Sequence, residues 1–206
     1  MSTRYLSAVI GALVLSGFAG AEEFTVAGTA QGAWNGGSIG QTGTLLGLTY
    51  TGSTFSDTTS NGFVAFGGDP NPGGGNFNNF GSISLGGQSA LYNGNTFSLR
   101  LTFSAPTGIA GGGATTFTAN VTGQVSNTTN GGVQISWGNN GTSTYTFANN
   151  NQTGSFTLNL NPVAIAPGKT VSVTGYVTGQ AAVPEPATMA GVGLGLLALV
   201  RRRRKF

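Results

Sequence analysis

The chain has 206 residues, among them 37 glycines, 8 basic and 5 acidic side chains, and it has neither histidine nor cysteine. Without imidazole or thiol groups, serine–histidine and cysteine–histidine catalysis, zinc sites built on imidazole or thiolate, and thiol redox chemistry are excluded. The formal net charge is +3, but five of the eight basic side chains lie together at residues 201–205, so this charge does not indicate a nucleic-acid-binding surface.

The first 21 residues have the three regions of a secretory signal peptide. Arg4 is the only cation of the n-region, residues 6–15 form an apolar h-region, and Ala19 and Ala21 frame a small-x-small cleavage site. We therefore expect export through the secretion translocon and a mature chain that begins at Glu22. The alternative is an uncleaved N-terminal membrane helix, which the short apolar run disfavours.

Residues 22–182 form the body of the chain, and their length suits one domain. Their two cations, Arg100 and Lys169, and four anions give a net charge of −2. The body is very rich in glycine, which is one signature of disorder. Because cysteine is absent, a folded body must be held by core packing and sheet hydrogen bonds.

Apolar residues in the body alternate with polar ones, as expected for strands with one buried face. Asn-Gly pairs, which suit positive-φ turns, separate several of these runs. The pattern predicts an all-β fold, an antiparallel β-sandwich of about ten short strands, and disfavours disorder. The best-patterned runs are residues 97–103, 117–121, 133–137, 156–160 and 171–173, and the weaker ones are residues 24–27, 44–50, 62–66, 81–85 and 144–147.

A glycine- and proline-rich stretch at residues 69–75 is predicted to be a surface loop. Asp69 and Asn71 in this loop, together with Asp57, carry oxygen atoms that could bind calcium. A tight calcium site usually gathers more carboxylates than these. The alternative interpretation of Asp69 as a turn-starting residue is therefore favoured.

Trp34 and Tyr92 each precede a predicted Asn-Gly turn. Aromatic rings at such positions can be exposed and can stack on a sugar ring, so both are candidates for glycan stacking. Partial burial is the alternative for both residues. Trp137 continues an alternating apolar face and is predicted to lie in the core.

The body is not expected to be an enzyme. Glycoside hydrolysis would need two placed carboxylates, and only Asp57 and Asp69 lie well inside the body. Few charged side chains protect the sheet edges, and hydroxyl and amide groups are abundant, so polysaccharide binding or self-association is expected. Two hypotheses remain: a structural protein of the cell surface or matrix, and a carbohydrate-binding module with a defined sugar site.

The last residues have three parts: Val183-Pro184-Glu185-Pro186, an apolar run at residues 187–200, and a basic tail. The 14 apolar residues would span roughly 21 Å as a helix, short of the roughly 30 Å hydrocarbon core. A short transmembrane helix that anchors the protein transiently is predicted, with residues 180–183 as a linker. The basic tail favours a cytoplasmic end, and it consists of Arg201, Arg202, Arg203, Arg204 and Lys205.

These three parts, in this order, resemble the PEP-CTERM sorting signal of Gram-negative bacteria. The resemblance implies processing near Val183 to Pro186 by an exosortase, a membrane-embedded protease, with Glu185 as the recognition charge. It also implies a cell-surface or extracellular location and an association with exopolysaccharide and biofilm. The body in turn resembles the choice-of-anchor sandwich domains through residues 76–81 and the strand at 97–104.

Overall fold

In the computed structural model of this chain, the described residues are 22–67, 78–126 and 131–182. These residues form fifteen β-strands in which every pairing is antiparallel, so the predicted all-β fold is confirmed. The strands are β1 (Thr25–Trp34), β2 (Thr42–Leu45), β3 (Leu48–Thr51), β4 (Ser53–Thr58), β5 (Phe63–Phe66), β6 (Ser82–Leu85), β7 (Ala90–Leu91), β8 (Asn95–Ala105), β9 (Ala114–Val125), β10 (Val133–Trp137), β11 (Thr142–Ala148), β12 (Thr153–Leu160), β13 (Val163–Ile165), β14 (Thr170–Ser172) and β15 (Gly175–Ala182).

The strands form three sheets arranged as a sandwich. The long sheet has the order β13-β10-β9-β8-β1-β4, with β7 paired to β9. The terminal sheet has the order β11-β12-β15-β5, and the hairpin sheet has the order β14-β6-β3-β2. Both short sheets cover the long one, since Phe103 of β8 lies 5.0 Å from Tyr145 of the terminal sheet and Phe97 lies 5.1 Å from Tyr50 of the hairpin sheet, between ring centroids.

The alternating pattern identified the buried face of the long sheet correctly. Leu99 and Leu101 on β8 are fully buried, whereas Arg100 and Thr102 between them are exposed. Trp137 lies in the core as predicted, and its Nε1 donates to the Asn161 carbonyl at 2.8 Å. The inner faces of all three sheets contribute to one hydrophobic cluster.

More strands form than the roughly ten predicted, because one run is divided and β4, β7, β13 and β15 lie outside the predicted runs. The run at 44–50 is two strands joined at Leu46 and Gly47, which have φ values of 49° and 86°. The run at 171–173 ends as a strand at Ser172. The predicted linker at 180–183 is wrong for residues 180–182, since these belong to β15.

Strand β15 escaped prediction because small residues fill its inward positions. Gly175, Val177 and Ala181 are buried, and Gly179 between them is half-buried. A Cβ at Gly175 would stand 3.0 Å from the Phe80 ring, and one at Gly179 would stand 2.6 Å from the Phe156 Cβ. The strand therefore lacks the alternating large apolar residues by which a half-buried strand is recognised.

The same kind of packing explains a glycine in the middle of β1. Gly32 is buried, and a Cβ there would stand 2.8 Å from the rings of both Phe97 and Tyr50. Both rings lie against the bare backbone of β1. A side chain at this position would have to displace two fully buried aromatic residues.

We predict that Gly32→Ala lowers the free energy of unfolding of residues 22–182 by about 1–3 kcal/mol, because the added methyl group overpacks the core. Gly87→Ala is the matched control, since a Cβ at this exposed loop glycine would meet nothing within 4 Å. It should leave the stability unchanged within about 0.5 kcal/mol. Chemical denaturation followed by tryptophan fluorescence measures both, and equal stabilities would contradict the close packing described at Gly32.

Candidate functional site

The two ends of the described chain lie side by side at one end of the terminal sheet. The backbone N–H of Glu22 donates to the Ala181 carbonyl at 2.9 Å, which forms an isolated antiparallel bridge. Ala182, the last residue of β15, pairs with Thr153 of β12. The predicted start of the mature chain is therefore joined to the strand that leads into the C-terminal segment.

Glu23 fastens this end through three hydrogen bonds to its carboxylate. The Thr59 hydroxyl donates at 2.5 Å, the Asn61 N–H at 2.6 Å and the Gly62 N–H at 3.4 Å. The hydroxyl of Thr59 also accepts from the Phe24 N–H at 3.0 Å. The Thr59 hydroxyl and then the two backbone N–H groups lower the pKa of Glu23, against an opposing contribution from desolvation.

The side chain of Gln152 completes the arrangement from the loop between β11 and β12. Its Nε2 donates to the Glu23 carbonyl at 3.1 Å and to the Glu22 carboxylate at 3.4 Å. We call Glu22, Glu23, Thr59, Gln152 and Ala181 the terminal clamp. Sequence reasoning missed it, although two adjacent glutamates in a body with so few charges were a usable signal.

The C-terminal segment follows the terminal clamp without an intervening linker. β15 remains paired through Ala182, and Pro184 is only two residues further along the chain. Two residues of extended chain reach at most about 7 Å. The sorting-motif residues Val183 to Pro186, the basic residues Arg201 to Lys205, and the cleavage-site residues Ala19 and Ala21 lie outside the described residues.

Residues 182–205 match the family model of the PEP-CTERM protein-sorting motif. The chain carries a PEP-CTERM sorting motif. The match contains Pro184, Glu185 and Pro186 and extends through Lys205, so the resemblance predicted from these residues is confirmed. The motif marks the chain as an exosortase substrate that is exported to the cell surface.

No curated protein and no solved structure matches this chain. The likeness of the body to choice-of-anchor domains therefore stays a prediction. Within residues 22–67, 78–126 and 131–182, no helix is long and apolar enough to cross a membrane. The predicted C-terminal transmembrane helix lies outside these ranges.

The predicted stacking residues Trp34 and Tyr92 are buried. Trp34 is 7% exposed, its ring packs 4.5 Å from that of Phe97, and its Nε1 donates to the Gly43 carbonyl at 3.1 Å. Tyr92 is fully buried, and its hydroxyl donates to the Leu46 carbonyl at 2.7 Å. Neither ring offers a face for a sugar, so the prediction of glycan stacking at these positions is wrong.

Of the calcium candidates, Asp57 is described and Asp69 and Asn71 are not. Asp57 is exposed on β4, and its carboxylate accepts from the Thr58 N–H at 2.8 Å and from the Asn78 Nδ2 at 3.0 Å. Among the residues that the structure describes, no group of three or more acidic side chains lies together. Calcium binding at this loop stays a prediction.

Two aromatic rings that the sequence did not single out lie exposed on the terminal sheet. Phe63 on β5 is 47% exposed and Tyr176 on β15 is 36% exposed. Their rings stack with centroids 5.8 Å apart and planes inclined by 29°. The sequence carried a signal for these two rings, the alternation of buried and exposed residues along each strand. Because Val64 and Val177 are buried, their neighbours Phe63 and Tyr176 lie on the outer face.

We predict that Glu23→Gln destabilises residues 22–182 at neutral pH, and that this effect becomes smaller as the pH falls below the ordinary pKa of a glutamate. The lowered pKa means that the ionised carboxylate stabilises the fold above its ordinary pKa, and that this stabilisation is lost as pH falls through the folded-state pKa. The melting temperature of the wild type should thus fall between about pH 5 and pH 3, and that of the variant should fall less.

Glu22→Gln is the control for this measurement, since the Glu22 carboxylate accepts only a long hydrogen bond, from Gln152 at 3.4 Å, among the described contacts. Thermal melts at pH 7 and pH 3 compare the three proteins. A Glu23→Gln variant that parallels the wild type at both pH values would show that the carboxylate does not fasten this end.

Proposed function

We propose that this chain is a non-catalytic protein of the surface or extracellular matrix of a Gram-negative bacterium, where it associates with exopolysaccharide and biofilm. The sorting motif supports the delivery of the body to the cell surface. The observation that carries the matrix association is the sparsely charged, hydroxyl-rich outer face of the sandwich. A defined sugar site, as in a dedicated carbohydrate-binding module, is the narrower form of this function.

The long sheet illustrates the character of this outer face. Arg100 is the one ionised side chain on β8, β9 and β10, and threonine, serine, asparagine and glutamine fill most outward positions around it. Hydroxyl and amide groups both donate and accept hydrogen bonds, as sugar hydroxyls do. Such a face can exchange water for sugar hydroxyls without the cost of desolvating charges.

The chemistry of the chain supports a role without catalysis. It has no histidine or cysteine, and Asp57 and Asp69 are its acidic residues well inside the body. The Asp57 carboxylate is engaged by Thr58 and Asn78 at the end of β4. A hydrolytic pair of carboxylates would need a second acid across a substrate cleft.

The adjacent ends of the body suit a protein that is held at a membrane and then processed. Glu22 and Ala181 are bonded to each other, so the segments that precede and follow the body leave it at the same end. The basic tail favours a cytoplasmic end. In the proposed orientation, the terminal clamp faces the outer surface of the inner membrane until the exosortase acts.

We predict that intact-mass analysis of the surface form finds a chain that begins at Glu22 and ends close to Pro184, without residues 201–206. Glu185→Ala should leave the full-length tail attached and the protein in the inner membrane, because the charge next to both prolines is lost. A wild-type surface protein that retained Arg201 to Lys205 would show that the segment is a permanent anchor.

We predict that the processed protein sediments with the extracellular matrix of its own cells and becomes free in the medium when exopolysaccharide synthesis is deleted. Immunoblots of matrix and medium fractions measure the distribution. The mass of the processed form in both strains is the control for export. An unchanged distribution between the two fractions would contradict the matrix association.

A further inference from the structure

We propose that the outer face of the terminal sheet binds one chain of an uncharged polysaccharide, with its sugar rings over the Phe63–Tyr176 pair. This inference rests on the proposed association with exopolysaccharide and assigns it to a site. We call the site the aromatic strip: Phe63, Tyr176 and the outward polar residues of β15, β12 and β11 beside them.

Two large rings are exposed on the outer face of the terminal sheet, which is otherwise mostly polar. Phe63 and Tyr176 leave 47% and 36% of their surfaces exposed, although burial of such rings would stabilise the fold. They come from the neighbouring strands β5 and β15 and stack against each other. Together they form one apolar strip, and the apolar C–H face of a sugar ring packs well on such a surface.

The register of the terminal sheet places polar groups in rows beside the rings. The row of Phe63 continues through Thr178, Thr157 and Thr144, and that of Tyr176 continues through Asn159 and Thr142. The Thr144 and Thr157 hydroxyls are 2.9 Å apart, and the Thr142 hydroxyl donates to the Asn159 Oδ1 at 3.0 Å. Neighbouring strands lie about 4.8 Å apart, so hydrogen-bonding groups repeat across the face.

The shape of this face also suits a ligand. A shallow depression of about 410 Å³ lies over β12, β15 and the start of β5, and its lining includes Phe63, Ser155, Thr157, Thr178 and Gln180 but not Tyr176. It is open along the sheet surface and bounded on one side by the Asn61–Gly62 turn that Glu23 holds. An open groove suits a polymer that enters and leaves at both ends.

The absence of charge on these strands selects the class of polysaccharide that binds. The strands β5, β11, β12 and β15 contain no acidic or basic residue. An acidic polysaccharide would find no counterion on this face, whereas a neutral one matches its hydroxyl and amide groups. The long sheet has a similar polar face with Arg100 in it, but β8, β9 and β10 carry no outward aromatic ring.

The test uses the exported form of the protein, recovered from its own cells, in native affinity electrophoresis. The probes are the extracellular polysaccharides of those cells, separated by anion exchange into an uncharged and an acidic fraction. The uncharged fraction should retard the wild type. Phe63→Ala and Tyr176→Ala should each weaken this binding at least about tenfold in apparent Kd, and the double variant should not be retarded.

Two further variants separate stacking from general effects on the surface. Phe63→Trp keeps a large ring at the strip and should retain binding. Leu91→Ala removes an exposed apolar side chain, 58% exposed on β7 of the long sheet, and should bind as the wild type does. Circular dichroism and the melting temperature establish that each variant is folded.

The outcomes distinguish the site from the function. If the wild type and the double variant are retarded equally, the site is wrong and the matrix association stands. If neither fraction retards the wild type, both proposals fail. Retardation by the acidic fraction alone overturns the uncharged occupant. A change in sedimentation coefficient of the double variant with unaltered polysaccharide binding would identify the face as a contact between copies of this chain.

Discussion

The core of this domain depends on aromatic rings that lie directly on glycine backbone. The rings of Phe55 and Phe97 pack against Gly28 and Gly32 of β1, and the ring of Phe80 packs against Gly175 of β15. Each glycine costs backbone entropy on folding, but the ring that it admits buries a large apolar surface. In an exported chain without cysteine, the packing of aromatic rings on glycine takes the place of the disulfides that would otherwise stabilise a small domain. The high glycine content is thus part of the packing.

The small inward residues of β15 also explain why additional hydrogen bonds fasten the end of this strand. A strand whose inner positions are glycine, valine and alanine contributes little apolar contact of its own. It is held on both sides by β12 and β5, and at its end Ala181 accepts a hydrogen bond from Glu22. Glu23 then ties the adjoining turn through Thr59 and Asn61. These bonds lie immediately before the sorting motif.

Motifs of contiguous residues could be recognised in the sequence. Which side chains are exposed could be predicted only where it was clear which residues of a strand face the core. The PEP-CTERM motif was recognisable because its residues are contiguous, and the alternation on β8 identified Leu99 and Leu101 as core. Trp34 and Tyr92 were misplaced because a nearby turn says nothing about which face a ring occupies. Tyr176 was missed because β15 was not predicted as a strand and was taken partly for a linker, so its alternation with Val177 was not used.

One strand carries both the junction with the sorting motif and half of the aromatic strip. Tyr176 and Ala182 are six residues apart on β15, or roughly 20 Å at the rise of a strand. The polar headgroup layer of a bilayer is only about 6 Å thick on each side. In the proposed orientation, with the terminal clamp toward the membrane, Tyr176 would stand beyond the headgroups before processing, whereas the end of the depression at the Asn61–Gly62 turn adjoins the clamp and would lie close to them. The proposed polysaccharide would therefore reach the Tyr176 end of the strip on the anchored protein and the whole strip on the processed one.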